Sequence, residues 1–177
     1  MKLAILDRDG VVNYDSAAFI KSPDEWRPIP GSLEAITRLN QAGYHVVIAT
    51  NQSGVGRGLF EMATLNAIHD KMNRALAEVG GRLDAIFFCP HAQEANCNCR
   101  KPRAGLLDEI GRRLNVTLEG VPVIGDARRD LEAAIAVGAR PILVLTGKGQ
   151  KTRREGRLPP GTEVYGSLAE AVDALLR

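Results

Sequence analysis

Cysteine, aromatic residues, net charge and long apolar runs are all scarce in this chain, and each scarcity removes a class of answer. Three cysteines among 177 residues cannot all pair within the chain, so a disulfide scaffold is excluded and metal binding or reactive thiols come forward. Aromatic residues make up 5% and the net charge is +2, which supplies neither the stacking platforms nor the basic groove of a nucleic-acid binder. The first apolar run, Leu3 to Leu6, is broken at once by Asp7, Arg8 and Asp9, so it reads as neither a signal peptide nor a membrane span. The expectation is a soluble, cytoplasmic, monomeric protein with no nucleic-acid or membrane partner. With 45% hydrophobic residues and no linker or internal repeat, it is expected to fold as a single domain over 1–177.

What is present is an alternation of Val- and Ile-rich runs with segments of helical period, the pattern of a parallel α/β sheet. Strands are predicted at 3–6, 45–50, 83–88, 121–125 and 140–145. Helices are predicted at 31–42, 61–79, 104–114, 128–137 and 167–176, the second with Leu65, Ile68, Met72, Leu76 and Val79 on its buried side. Residues 147–161 read as an exposed basic loop. The fold class is therefore α/β, a Rossmann-like three-layer sandwich around a parallel sheet of about five strands. No gap between the chemical motifs holds a separate cap domain.

Ligands of open parallel sheets bind beyond the carboxyl ends of the strands, and polar residues of this chain gather there. Strand one ends in Asp7-Arg8-Asp9-Gly10, and adjacent acids repel unless a cation separates them. Asp126, after the fourth strand, adds a third carboxylate and completes an oxygen-rich set suited to Mg²⁺. Thr50 ends strand two, and the amides of Asn51 and Gln52 are placed to form an anion-binding nest. Gly54, Gly56 and Gly58 permit close backbone approach, and Lys101 supplies a mobile positive charge. Arg8, between two acids on a strand, is expected to point away and pair elsewhere. Asp130, one helical turn after Asp126, is expected to support the site rather than bind metal.

All the thiols fall in one stretch. Cys89-x-His91 and Cys97-x-Cys99 offer three thiolates and an imidazole, a set suited to a closed tetrahedral zinc site. A loop over 89–99 has no apolar core of its own, so metal ligation would have to order it, and order would extend to Arg100 and Lys101. His45 and His69 accompany no other ligands and read as packing residues. Trp26 reads as the anchor of a flap.

Asp7 in DRDGVV, the strand ending in Thr50, Lys101 in RKP and Asp126 in GDARRD, in this order, resemble the four motifs of the haloacid dehalogenase superfamily of phosphohydrolases. The resemblance implies a haloacid dehalogenase-like fold with Asp7 as nucleophile, forming an aspartyl-phosphate, and Asp9 as general acid and base with a raised pKa. It implies that Thr50 and Lys101 hold the transferring phosphoryl, and that Asp7, the Asp9 carbonyl and Asp126 bind catalytic Mg²⁺ beside a structural Zn²⁺. Within the superfamily the chain is similar to the capless, zinc-loop phosphatases of heptose bisphosphate and histidinol phosphate, most of all to the heptose branch serving lipopolysaccharide precursor synthesis. That branch implies a small phosphorylated sugar as substrate, with Asp15, Ser16, Ala17, Ala18, Asn51, Gln52, Ser53 and Arg100 lining its pocket. Arg57 joins them from the glycine loop. Ala127 stands where some relatives carry a basic residue that could add a phosphate contact, so that contact is not expected here. Polynucleotide 3′-phosphatases share the capless core, and a zinc-stabilised binding module is the non-enzymatic alternative.

Overall fold

The computed structural model describes residues 1–177. Six parallel strands form one sheet: β1 (Lys2–Leu6), β2 (Tyr44–Asn51), β3 (Ala85–Cys89), β4 (Pro122–Gly125), β5 (Arg140–Val144) and β6 (Glu163–Tyr165). Their order is β3-β2-β1-β4-β5-β6, so the chain winds outward from β1 in one direction and from β4 in the other. The reversal falls beside β1. It lies between the carboxyl ends of β1 and β4, after which come Asp7 and Asp126, the place where ligands of open parallel sheets bind.

Successive residues of a strand face opposite sides, and here that rule builds two cores. Ala4, Leu6, Val46 and Ile48 face one core, which α1 (Ser32–Gln41), α3 (Met62–Glu78) and α7 (Leu168–Leu175) cover with Leu33, Ile36, Ile68, Met72 and Val172. Leu3, Ile5, Val47 and Ala49 face the other, covered by α4 (Gly105–Leu114) and α5 (Arg128–Ala136) through Leu107, Ile110, Ala133 and Ala134. Two short helices complete the set: α2 (Ser53–Gly56) and α6 (Gly149–Glu155). The three-layer α/β sandwich matches the expected class.

Three expectations need correction. The sheet has six strands rather than about five, because β6 is a three-residue edge strand whose length is too short to carry a periodic signal. It pairs with β5, and Arg140 forms an ion pair with Glu163 across that pairing. Part of the basic stretch 147–161 is helix α6, which lacks an apolar stripe and buries only Gly149 and Thr152. Tertiary bonds hold it instead, for the Thr152 hydroxyl donates to the Asp126 carbonyl at 2.8 Å. Val79 is exposed and caps α3 rather than packing beneath it.

The segment between β1 and α1 is a flap. Trp26 is 1% exposed within the first core, and Lys71 of α3 donates to the carbonyls of Pro23 and Trp26 at 2.6 and 2.9 Å.

Candidate active site

The end of β1 turns at Gly10, whose φ of +85° is open to glycine and strained for other residues. A Cβ there would also strike the Asp126 carboxylate and approach the Gly147 backbone. The glycine of DRDG thus lets the β1 turn, the β4 turn and the start of α6 meet. Asp126 Oδ2 accepts from the Lys148 amide at 2.9 Å, and Oδ1 is buried without a partner.

Asp7, Asp126 and Asp130 are all buried, with one carboxylate oxygen of each inside 4.8 Å of the others. Burial and then the charge of Asp7 push Asp126 up to about 8. Burial and then the charge of Asp130 push Asp7 up to about 6. Three crowded acids, one with an orphaned oxygen, suit a small divalent cation, and Mg²⁺ takes such carboxylates together with phosphate oxygens.

Lys101 is the counter-charge already in place. Its ammonium is 3% exposed, donating to Asp130 Oδ1 at 2.5 Å and to the Ala49 carbonyl at 2.8 Å, with Asp7 Oδ1 at 3.2 Å. Burial alone would pull its pKa down, but Asp130 and Asp7 more than offset this and raise it, so it stays charged. Both oxygens of Asp130 are engaged, the second accepting from the Ala127 amide at 3.1 Å as α5 begins. Asp130 therefore anchors Lys101 and caps α5.

Asp9 points away from the acid cluster. Its Oδ1 accepts from Arg8 Nε at 2.9 Å and Asn13 Nδ2 at 3.0 Å, and its Oδ2 from Gln52 Nε2 at 3.2 Å. Burial favours the neutral acid, but Arg8, Asn13 and Gln52 outweigh it and hold Asp9 below the usual carboxylate range. The raised pKa expected of a general acid is thus absent from the ligand-free site. Arg8 does not point elsewhere, as strand alternation suggested; it pairs with its own neighbour because the chain turns there. His69, read as a bland packing residue, is buried on α3 with Nε2 3.0 Å from Arg8 Nη1. Burial and then Arg8 pull its pKa down to about 4, which keeps it neutral.

Thr50 is buried at the end of β2, its hydroxyl accepting from Gln52 Nε2 at 3.0 Å. The Gln52 amide is not available to an anion, because it donates to the Cys89 carbonyl at 2.8 Å. The close approach expected of the glycine series is made at Gly56. A Cβ on Gly56 would strike the backbone of Pro90 and Ala92, so the close approach it permits is to the cysteine loop.

In that loop the Sγ atoms of Cys89, Cys97 and Cys99 and a nitrogen of His91 lie within 4.8 Å of one another, and the three cysteines are free. Zinc–sulfur bonds of about 2.3 Å put tetrahedral ligand atoms roughly 3.8 Å apart, so donor chemistry and spacing fit Zn²⁺. The loop is tied to the site by a reciprocal pair: Lys101 N donates to Asn51 Oδ1 at 3.0 Å, and Asn51 Nδ2 to the Lys101 carbonyl at 3.2 Å. Order imposed at the cysteines thereby reaches Lys101.

A cleft of ≈ 220 Å³ lies above this floor, lined among others by Asp9, Ser16, Ala17, Asn51, Ser53, Arg57 and Arg100. Gln52 lies beneath it, and Asp15 and Ala18 are not among its walls; Asp15 sits beside it, its carboxylate 3.5 Å from Lys148 Nζ. Four wall residues escaped the sequence reading: Phe19, Gln93, Arg129 and Lys148. Arg129 Nε and Arg100 Nη1 are buried without partners. Burial, then Arg129 and Arg57, hold Arg100 below its usual range, as expected where guanidinium groups crowd without an anion. Arg129 follows Asp126 by three residues, which was the available signal; Ala127 drew attention instead.

A cation-ready carboxylate cluster beside a cleft rimmed by three arginines, two of them with a buried unpartnered nitrogen, is built for a phosphate ester, and on a doubly wound sheet without a cap it defines a phosphatase of the haloacid dehalogenase superfamily. A family model described as HAD-hydrolase-like matches residues 98–171, and one described as polynucleotide kinase 3 phosphatase matches residues 2–134. A D-glycero-β-D-manno-heptose-1,7-bisphosphate 7-phosphatase of Bordetella bronchiseptica is 60% identical over 100% of this chain and 99% of its own. One of Pseudomonas putida is 50% identical over 99% and 100%. The crystal structure of the D,D-heptose 1,7-bisphosphate phosphatase from B. bronchiseptica, complexed with magnesium and phosphate, superposes with a TM-score of 0.98 at 61% identity, covering 99% of this chain and 98% of that one. The chain belongs to the heptose-bisphosphate phosphatase family.

Proposed function

We propose that the protein is a Mg²⁺-dependent phosphatase that hydrolyses the 7-phosphate of D-glycero-D-manno-heptose 1,7-bisphosphate, in its β anomer, during ADP-heptose and lipopolysaccharide core precursor synthesis. The observation that carries this reading is identity of 60% across the full length of a relative of that activity, with the β anomer in its name. No helix is long and apolar enough to cross a membrane. A zinc site of reduced thiols suits a reducing compartment, so the proposal places the enzyme in the cytoplasm, and it takes the enzyme to act as a monomer.

In the proposed reaction the Asp7 carboxylate attacks phosphorus, forming an aspartyl-phosphate as the sugar oxygen departs with a proton from Asp9. Asp9, now ionised, takes a proton from the water that attacks the phosphorus and releases phosphate and free Asp7. An arriving phosphate dianion is the like charge that raises the depressed pKa of Asp9 for the first step. Lys101 and Thr50 hold the transferring phosphoryl. Mg²⁺ held by Asp7, the Asp9 carbonyl and Asp126 would neutralise charge between nucleophile and phosphate. Arg57, Arg100 and Arg129 hold the phosphate that stays.

That rim favours the bisphosphate over histidinol phosphate, which carries an ammonium group of its own, and the cleft has no aromatic platform beyond Phe19 for a nucleic-acid strand. The test is turnover of heptose 1,7-bisphosphate, its anomers, histidinol phosphate and a 3′-phosphorylated oligonucleotide under one set of conditions. The highest kcat/KM is expected for the β bisphosphate; a higher value for either of the other two substrate classes refutes the assignment.

A further inference from the structure

Arg8 and His69 take no part in the reaction just described, yet they form a buried chain that ends on Asp9. Arg8 is fully buried. The Arg8 Nε donates to Asp9 Oδ1 at 2.9 Å, Nη2 lies 2.8 Å from the same oxygen as an ion pair without hydrogen-bond geometry, and Nη1 reaches His69 Nε2 at 3.0 Å. With Asn13 Nδ2 at 3.0 Å, Oδ1 accepts two hydrogen bonds and holds the Arg8 charge beside it, whereas Oδ2 has only Gln52 Nε2, the longest of these contacts at 3.2 Å. A carboxyl group gripped through one oxygen cannot rotate freely, and the less engaged oxygen is the one left for proton traffic. Asp9 lines the cleft.

His69 completes the clamp because arginine offers only donors. Its Nε2 must therefore present a lone pair, which fixes the neutral tautomer with the proton on Nδ1. The ring of Phe88 lies 6.2 Å from it, tilted 53°, and Leu65, Ile68 and Met72 are buried on the same helix. An apolar residue at 69 would leave a buried N–H of Arg8 unpaired, and the guanidinium would turn to find another acceptor.

We infer that Arg8 and His69 are positioning residues that lock the Asp9 carboxyl group so that Oδ2 faces the leaving oxygen of the substrate. The inference rests on the reading of Asp9 as the general acid. Proton donation matters most when the departing group is a poor one, such as a sugar alkoxide, and little for a phenolate.

The experiment measures kcat/KM, which reports steps through leaving-group departure, for heptose bisphosphate and for p-nitrophenyl phosphate. His69→Leu is expected to lower kcat/KM roughly tenfold or more on the sugar ester and less than about twofold on the aryl ester. His69→Gln, whose side-chain carbonyl can accept from Arg8, is expected to recover most of the loss. Arg8→Lys keeps the charge and loses the fork, so it should reproduce the selective loss even if His69→Leu does not fold. Equal losses on both esters, or no loss on either, would overturn the inference. Asp9→Asn, run alongside, separates the two levels: if it shows the selectivity and the Arg8 and His69 variants do not, only the clamp fails. If Asp9→Asn itself shows no selectivity, the general-acid reading fails and the clamp with it.

Discussion

Removing Mg²⁺ should make the stability of this protein fall with rising pH, and the acid cluster sets the size of the effect. Asp126 titrates near 8 in the metal-free fold against 3.8 for an unperturbed aspartate. An acid whose folded pKa is raised contributes stability that is fully present below pH 3.8 and is lost as pH rises toward 8. At about 1.4 kcal/mol for each pH unit in that window, the loss is on the order of 5 kcal/mol. Asp7, raised to about 6 by burial and then by Asp130, is left out of this figure, which refers to Asp126 alone. Mg²⁺ offsets the burial and crowding of the Asp126 carboxylate but at low pH must first displace protons. Its stabilisation should therefore grow between pH 5 and pH 8 by roughly 10 °C in Tm for a chain of this size. Thermal melts with chelator and with saturating Mg²⁺ at both pH values measure it, and Asp126→Asn should abolish the pH dependence of the Mg²⁺ effect. An equal Mg²⁺ shift at both pH values, or a metal-free Tm that rises across the window, would refute the argument.

Replacement of Cys97 by Ser should reduce zinc content from about one per chain and lower kcat more than Tm, since the loop carries Lys101 while both cores lie elsewhere; elemental analysis with parallel melts and kinetics decides this. Gly10→Ala should cost at least ~1 kcal/mol from its positive φ and also weaken Mg²⁺ binding, because the added methyl displaces the Asp126 carboxylate. Arg129→Ala should raise KM for the bisphosphate several-fold more than for a small monophosphate ester, and steady-state kinetics on both substrates would show it.

Much of this was legible in the order of residues, for a local reason. Strand alternation in Leu3 to Leu6 and Val46 to Ala49 assigns each side chain to one face without reference to the partner, and both cores follow it. Asp7, Thr50 and Asp126 could be placed because each sits at a strand's carboxyl end, and parallel strands bring those ends to one edge. The cysteines could be grouped because all fall between residues 89 and 99.

Tertiary structure alone decided what depends on approach between distant segments. Helix α6 has no apolar stripe and exists where Thr152 reaches Asp126; β6 is too short to announce itself and exists where β5 offers an edge. The sequence marks Gly56 as a place of close backbone approach, but only the fold shows that the cysteine loop is what approaches. Arg8 and His69 stand 61 positions apart, and nothing in either segment names the other. The charge state of Asp9 followed the same logic, since burial, Arg8, Asn13 and Gln52 act on it together. Periodicity and motif spacing are properties of neighbours along the chain, whereas a buried charge is set by everything folded around it.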